Sequence, residues 1–270
     1  TIANRGGYPH PVTGRPRRGL RYKDEHQRIL FLEDDVDEFV RKEDMADWIP
    51  SLVDSLCSRL DAEETAVDLI ISHYWDGAQV GVLYNRSRGE QVTHVWVPHS
   101  LGTIKKRNVP QERWASLRID ERIAIESSLI PDLDAIAATS STISRALQED
   151  YAYAEEPLFL PPCVDTDRYH PRDVSDSHPI WGFLAQQSGL SPQGVRDRKI
   201  VMEISRTDTT KRKDVLLKAF AQAHENVPDS LLVVSIDESE EKLAKELRGL
   251  ILSLGLQGSV ATVGYVWDRL

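Results

Sequence analysis

Short apolar runs alternate along the chain with stretches in which apolar residues recur every three or four positions. The runs predict strands, and the periodic stretches predict amphipathic helices. Residues 1–28 are rich in Gly, Pro and Arg and predict a loop. The predicted strands are 29–32, 67–72, 92–97, 135–139, 158–160, 199–204, 230–236 and 260–266. The predicted helices are 44–60, one that begins at 78, 120–129, one capped by Ser140 or Ser141 that ends near Tyr151, 211–225 and 238–254.

Strands rich in Val, Ile and Leu that alternate with amphipathic helices predict βαβ units with parallel sheets, and therefore an α/β fold. The alternation is interrupted at residues 171–198, where Pro, Ser, Asp and Gln are frequent and one short helix near 180–187 is predicted. We expect an N-terminal domain over residues 1–172, a linker over 173–198 and the beginning of a C-terminal domain over 199–270. In such folds ligands bind beyond the carboxyl ends of the strands, so polar residues after each strand are candidate site residues.

Composition narrows the class of protein. The 270 residues include 33 Lys and Arg against 43 Asp and Glu, which gives a net charge of −10, and 40% are hydrophobic, enough for a core. An acidic chain argues against a nucleic-acid or membrane-surface partner, and no apolar run approaches the roughly 20 residues of a membrane helix. Two cysteines, Cys57 and Cys163, exclude a disulfide scaffold or a Cys-rich metal site. These features favour a cytoplasmic location.

The two ends of the chain suggest a fragment. The chain begins at Thr1 without an initiator Met or a targeting peptide, and it stops at Leu270 directly after an apolar run. We expect a piece of a longer protein. Ordinary processing or trimming of the termini is the alternative.

The residues that follow the strand 67–72 are unusual for a turn. The sequence there is His73-Tyr74-Trp75-Asp76. Tyr74 and Trp75 can be explained by packing under the sheet, and Asp76 by capping the next helix. His73 is harder to explain as a core residue at the end of a strand.

A second histidine follows the strand 92–97. His99 lies in a tight turn between Pro98 and Gly102, at the edge of the sheet where ligands bind. A functional role is favoured over a structural one, although a lone histidine is usually structural. His94 and His99 differ in strand parity and point to opposite faces, so they make a poor metal pair.

Cationic residues follow in the same half of the chain. Lys105, Lys106 and Arg107 form either a solvated loop or a site that holds a phosphate. Arg122 and Glu126 are four residues apart and share one helical face. Two explanations stay open for Arg122: a weak surface ion pair with Glu126, or contact with an anion in a cleft.

The second half of the chain has one cationic run, Arg206 to Lys213, which follows a strand and opens a helix. Cations at a helix N-terminus oppose the helix dipole, whereas a bound phosphate would make them favourable. Phosphate binding is favoured; the alternative is that Asp208 and Asp214 neutralise the run. The motifs G-x-G-x-x-G, Walker A, G-x-S-x-G and H-E-x-x-H are absent, which lowers the odds for dehydrogenases, P-loop NTPases, α/β-hydrolases and zincin proteases.

Together these motifs resemble the retaining glycosyltransferases of family 4, and within them the group of sucrose-phosphate and mannosylfructose-phosphate synthases. The resemblance extends over residues 39–266 with a divergent linker. The stretches that carry it are Phe39 to Glu43, Ser72-His73-Tyr74-Trp75-Asp76, Pro98-His99-Ser100-Leu101-Gly102 with Lys105 and Lys106, Pro161 to Tyr169, and Arg206 to Lys211.

The resemblance implies a GT-B fold, in which two Rossmann-like domains with parallel sheets face each other across a cleft. The N-terminal domain of such enzymes holds the acceptor and the C-terminal domain holds the nucleotide sugar, for example UDP-glucose or GDP-mannose. Arg206 and Lys211 match the catalytic pair that neutralises the donor diphosphate without a metal or other cofactor. His99 matches the histidine beside the transferred sugar. The residues implied on the acceptor side are Lys42, His73, Asp76, Lys105, Lys106 and Arg122, and which of the four cations holds a phosphate stays open.

The sequence also departs from the family pattern. The family's first strand with its D-T-G-G-Q loop is not found, and the E-x-x-x-x-x-x-x-E motif is expected beyond Leu270. Ile204-Ser205 replaces the usual Gly before Arg206. We therefore expect this chain alone to be inactive. Two alternatives stay open for the protein: an inactive regulatory relative that binds sugar phosphates, and a phosphosugar enzyme such as an epimerase with the same fold.

Overall fold

Strands and helices alternate in both halves of the chain, which confirms the predicted α/β class. The computed structural model describes residues 1–9, 14–89 and 92–264. Its strands are β1 (Ile2–Arg5), β2 (Gly19–Tyr22), β3 (Arg28–Leu32), β4 (Leu69–His73), β5 (Thr93–Val97), β6 (Ala135–Ala138), β7 (Leu158–Phe159), β8 (Lys199–Glu203), β9 (Ser230–Ser235) and β10 (Val260–Val263). Its helices are α1 (Ile49–Ala62), α2 (Tyr74–Arg88), α3 (Gly102–Asn108), α4 (Ile119–Leu129), α5 (Ser141–Asp150), α6 (Pro179–Ser188), α7 (Pro192–Arg196), α8 (Lys213–Asn226) and α9 (Glu241–Ser253).

The chain divides into an N-terminal unit, Thr1–Asp165, and a C-terminal unit, Thr166–Leu270. The N-terminal unit contains two sheets. In the first, β3 pairs in parallel with β1 and antiparallel with β2. In the second, β4, β5, β6 and β7 lie side by side in this order, and all are parallel. The carboxyl ends of β4, β5 and β6 therefore meet at one edge of the second sheet.

The core of the second sheet is built from apolar residues of the sheet and of its covering helices. Trp96 of β5 and Ile136 of β6 are fully buried against Ala78 of α2 and Leu147 of α5. Helix α1 packs on the first sheet, where its Leu52 contacts Leu30 and Leu32 of β3. In β3 these two buried leucines alternate with less buried residues, as expected for a period-two strand.

The first 28 residues differ from the predicted loop, because β1 and β2 lie within them. The turn from β2 to β3 is closed by Asp24, whose Oδ1 accepts hydrogen bonds from the amides of His26 (2.9 Å) and Gln27 (2.7 Å). Each of these strands has four residues, which is too short for a clear alternation. Their pairing with residues of β3 that are 6 to 27 positions away decides their conformation.

Three helix starts also differ from the predictions. Helix α2 begins at Tyr74, directly after β4, rather than at residue 78. Helix α3 was not predicted, because only Ile104 provides an apolar residue in its sequence GTIKKRN. The helix expected from residue 44 begins at Ile49, after two short 3₁₀ turns at Lys42–Asp44 and Ala46–Trp48.

The C-terminal unit has three parallel strands in the order β10, β9, β8, with helices on both faces. All six residues of β9 are buried. Leu231 and Val233 pack with α6 and α7, whereas Leu232 and Val234 pack with α8 and α9. A buried strand with an apolar centre, covered on both faces, is typical of parallel sheets.

The segment expected to be a linker, residues 173–198, contains two helices rather than one. Leu184 and Ala185 of α6 and Val195 of α7 belong to the core of the C-terminal sheet. The contact boundary lies at Asp165 and Thr166, ahead of the expected end of the first domain. The last strand ends at Val263, and the predicted strand residues 265 and 266 lie outside the described residues. In the part of the chain that is described, no helix has the length and apolar character to cross a bilayer.

Candidate functional site

The two histidines at the strand ends lie together. In the parallel pair of β4 and β5, His73 is in register with Val97, so His99 follows only two residues beyond that edge. His73 Nδ1 lies 2.7 Å from His99 Nε2, and the two rings stack with centroids 5.0 Å apart. One nitrogen must carry a proton and the other must accept it. Partial burial and the neighbouring His73 both lower the pKa of His99.

Both strand ends have left-handed backbone conformations. Tyr74 has φ +60° and His99 has φ +53°, values that are uncommon for residues other than glycine. Such conformations cost on the order of 1–3 kcal/mol each and cluster at functional sites. Here they turn the chain sharply, so that both rings stand at the sheet edge.

Tyr74 is a site residue that the sequence analysis missed. Trp75 is buried under the sheet as expected, but the Tyr74 side chain is 40% exposed. Its ring lies 5.2 Å from the His99 ring and 5.4 Å from Lys42 Nζ, measured to its centroid. The signal that could have identified it is its position directly after a strand, beside a histidine.

Lys42 lies at this edge on a 3₁₀ turn that other cations hold in place. Arg118 Nη1 donates to the carbonyl oxygen of Glu43 at 3.0 Å, and Lys105 Nζ lies 3.3 Å from Glu43 Oε1. Lys42 itself has no ion-pair partner among the described residues. Burial and the nearby Lys105 lower its pKa, and burial raises the pKa of Asp76 against the opposing effect of Lys42. The group is thus a partly buried cluster of unlike charges in which Lys42 interacts with Glu43 and Asp76 without forming an ion pair among the described residues.

Arg122 forms the predicted pair with Glu126, but the pair is buried and not on the surface. The side chains are 3% and 0% exposed, and Arg122 Nε lies 2.7 Å from Glu126 Oε1. Arg122 Nη2 donates to Ser100 at its carbonyl oxygen (2.6 Å) and at Oγ (3.1 Å). Within the residues that the structure describes, Nη1 has no hydrogen-bond partner.

The basic run at 105–107 forms part of α3 and is not a loop. Each cation has a carboxylate partner: Glu43 for Lys105, Asp120 for Lys106 at 2.6 Å, and Asp150 for Arg107. Lys106 Nζ also lies 4.6 Å from the ring centroid of Trp114. These partners weaken the case for Lys105 and Lys106 as the main phosphate ligands.

His94 is a structural histidine on the buried face of β5. Its Nε2 lies 2.7 Å from Ser72 Oγ, and a Cβ at Gly81 would come within 2.4 Å of its ring. Burial lowers the pKa of His94 to about 4. No cluster of three metal-ligand side chains exists among the residues described.

The cationic run of the C-terminal unit lies between β8 and α8. Arg206 is 79% exposed and pairs with Asp208 at 3.4 Å, and Arg212 pairs with Asp214 at 3.1 Å. Lys213 is buried, and its Nζ lies 2.5 Å from Glu203 Oε2 and 3.1 Å from Ser235 Oγ. Among the described residues of this run, Lys211 is the cation without an ion-pair partner. The alternative that aspartates neutralise the run therefore holds for Arg206 and Arg212 but not for Lys211.

Comparison with known proteins places this geometry in context. No family model matches the chain. The mannosylfructose-phosphate synthase of Agrobacterium fabrum is 27% identical over 259 residues, which cover 91% of this chain and 54% of that protein. A D-inositol 3-phosphate glycosyltransferase of Actinosynnema mirum is 29% identical over 198 residues, which cover 70% of this chain and 43% of that protein. The chain thus spans about half the length of the curated relatives it matches.

The chain is also similar in structure to solved proteins. The sucrose-phosphate synthase of Thermosynechococcus elongatus matches with a TM-score of 0.73 and 20% identity, over 98% of this chain and 60% of that one. Anabaena HepE in complex with UDP and glucose matches with a TM-score of 0.57 and 19% identity, over 89% of this chain and 56% of that one. The predicted GT-B fold is confirmed, and so is the resemblance to family 4 glycosyltransferases.

Proposed function

We propose that this protein is a retaining glycosyltransferase that moves a hexose from a nucleotide-diphosphate sugar to a sugar or sugar phosphate. One observation carries the proposal. Each unit presents, at the carboxyl end of its parallel sheet, a cationic cluster in which one lysine lacks a carboxylate partner among the described residues: Lys42 in the first and Lys211 in the second. Uncompensated cations at this edge favour anionic ligands.

On the acceptor side, we propose that Lys42 and Arg122 bind the phosphate directly. Arg122 is fixed through Nε and Nη2, which leaves Nη1 for the ligand. His73 and Asp76 are the polar groups nearby for the sugar hydroxyls. Lys105 and Lys106, which have carboxylate partners, contribute positive potential and hold the segment of Glu43 and the start of α4.

On the donor side, Arg206 and Lys211 would neutralise the diphosphate as it leaves. Charge that develops on a leaving group is stabilised most by cations already in place. Arg206 can exchange its exposed, solvent-screened contact with Asp208 for the diphosphate at little cost. These two side chains would supply the charge without a metal ion.

The reaction proposed from the resemblance retains the anomeric configuration and proceeds at the front face, without a protein nucleophile. The bond from the anomeric carbon to the diphosphate oxygen breaks, and the bond to the acceptor oxygen forms on the same face. His99 would contact the transferred sugar. A cytoplasmic location and small-molecule partners are part of the same proposal.

The test uses the protein expressed from its complete reading frame. It is incubated with UDP-glucose and with GDP-mannose, each with fructose 6-phosphate, and the products are weighed by mass spectrometry. A disaccharide phosphate supports the proposal and identifies the donor. Nucleotide release with free sugar and no acceptor would favour the epimerase-like alternative. Binding of fructose 6-phosphate without product from any donor would favour the inactive regulatory relative.

A further inference from the structure

Glu126 of α4 is a carboxylate without any exposed surface. It pairs with Arg122, one of the residues proposed to bind the acceptor phosphate. A buried carboxylate is costly unless hydrogen bonds compensate for its lost hydration. Both of its oxygens have partners here. The hydrogen-bond partners of each oxygen indicate which groups the buried carboxylate holds in place.

One oxygen orients Arg122. Arg122 Nε donates to Glu126 Oε1 at 2.7 Å, while Nη2 donates to Ser100. A guanidinium group is planar, so two anchored nitrogens fix the direction of the third. Glu126 therefore determines where Nη1 of Arg122 points.

The other oxygen anchors the loop that carries His99. Glu126 Oε2 accepts hydrogen bonds from the amide of Gly102 at 2.8 Å and from the Tyr151 hydroxyl. A Cβ at Gly102 would lie 2.7 Å from Ile123 Cγ1 and 3.0 Å from Glu126 Oε2, so only glycine permits this approach. Burial and the Glu126 carboxylate raise the pKa of Tyr151, which keeps its hydroxyl a donor.

The Glu126 side chain thus holds two parts of the proposed acceptor site, a cationic side chain and a turn. Arg122 and the turn from Pro98 to Gly102 are joined through Glu126, and Ser100 closes the ring of contacts through Arg122. Hydrogen-bond networks that are fully satisfied in a low-dielectric interior hold a single geometry.

We propose that Glu126, supported by Tyr151, is a positioning residue that aligns Arg122 for an acceptor phosphate and fixes the loop of His99. This rests on the proposed function, because it assigns Arg122 to that phosphate. It makes a selective prediction. Loss of the Glu126 charge should harm phosphorylated acceptors more than unphosphorylated ones, whereas a merely structural role would affect both equally.

The test compares three variants of the protein from its complete reading frame. Glu126→Gln removes the charge and keeps the shape. Tyr151→Phe removes the hydroxyl that donates to Glu126 and accepts from the Thr103 amide, and it tests the network if Glu126→Gln folds poorly. Asp132→Asn is the matched control, because it removes the carboxylate of an exposed ion pair with Arg86. Circular dichroism and thermal melting check that each variant folds.

For Glu126→Gln we expect the preference in kcat/KM for fructose 6-phosphate over fructose to fall about tenfold, mainly through KM, as loss of an oriented charged hydrogen bond implies. Tyr151→Phe should show a smaller fall in the same direction, and Asp132→Asn none. Equal losses for both acceptors, or a preference unchanged in a folded variant, would overturn the proposal.

Calorimetric titration with fructose 6-phosphate provides a readout that does not depend on turnover. If the wild-type protein binds the sugar phosphate but transfers nothing, the proposed function fails while the role of Glu126 can still be measured. In that case weaker binding to Glu126→Gln supports the positioning role. Unchanged binding contradicts it.

Discussion

The two cationic clusters differ in how the protein holds them. In the N-terminal unit Arg122 is 3% exposed and is held between Glu126 and Ser100, whereas in the C-terminal unit Arg206 is 79% exposed and its side chain pairs with Asp208. Burial holds the Arg122 guanidinium in one position, whereas the ion pair of Arg206 is exposed to water. A buried and an exposed ion pair predict different effects of mutation on stability.

The largest expected effect is a difference in protein stability between variants of Arg122 and of Arg206. Arg122→Met leaves the buried Glu126 carboxylate without its partner, so the free energy of unfolding should fall by about 3–5 kcal/mol. Arg206→Met should leave stability unchanged, because its partner stays in water. Chemical denaturation of both variants measures the difference. Equal stabilities would show that the burial of Arg122 carries no weight.

The second prediction concerns activity, which we expect to fall on mutation of the C-terminal cluster while stability is kept. Lys211→Ala should lower kcat by about 10²–10³-fold, the usual result of removing one group that stabilises developing charge. The fold should be intact, since Lys211 has no ion-pair partner in the described part of the chain. Lys245→Ala, which removes an exposed lysine from α9, is the control. A full rate in Lys211→Ala would refute its role at the diphosphate.

The third prediction locates acid sensitivity in the N-terminal unit. The pKa of His94 is about 4 in the folded protein against 6.5 in the unfolded chain. The folded state thus favours neutral His94, and stability is complete above pH 6.5 and is lost as pH falls from 6.5 toward 4. The loss should reach up to about 3 kcal/mol.

Unfolding measured between pH 7 and pH 4 tests this assignment. His94→Gln should flatten the dependence, because glutamine does not titrate. A steep loss that persists in His94→Gln would assign the acid sensitivity to other groups.

The smallest expected effect concerns the histidine pair. His99→Ala removes the contact that we propose with the transferred sugar and should lower turnover about tenfold, the cost of one hydrogen bond to a polar group. The His99 ring is exposed, so the melting temperature should stay the same. A collapse in stability would instead make His99 structural. His73→Ala, which leaves His99 without its partner at 2.7 Å, should lower turnover less.

Much of the fold follows from local patterns. Strands β8 and β9 and helix α9 lie close to their predicted positions, because each strand contains a short continuous apolar run and the helix has a clear period of 3.6 residues. Ser140 caps α5 as expected, its side chain accepting the amide of Ile143. Helix α3 was not predicted, because a short polar helix has no apolar stripe. Helix α7 was not predicted, because five residues are too few to show an apolar stripe.

The α/β class and the approximate strand positions follow from the amino-acid order alone, since hydrophobic period and residue type are local properties. Which cations form ion pairs depends instead on the tertiary structure. Lys105 pairs with Glu43, which is 62 positions away in the sequence, and Arg107 pairs with Asp150, which is 43 positions away. Lys42 and Lys211 form no ion pair among the described residues. Burial and pairing are set by distances between remote segments, and the linear spacing of charges does not contain those distances.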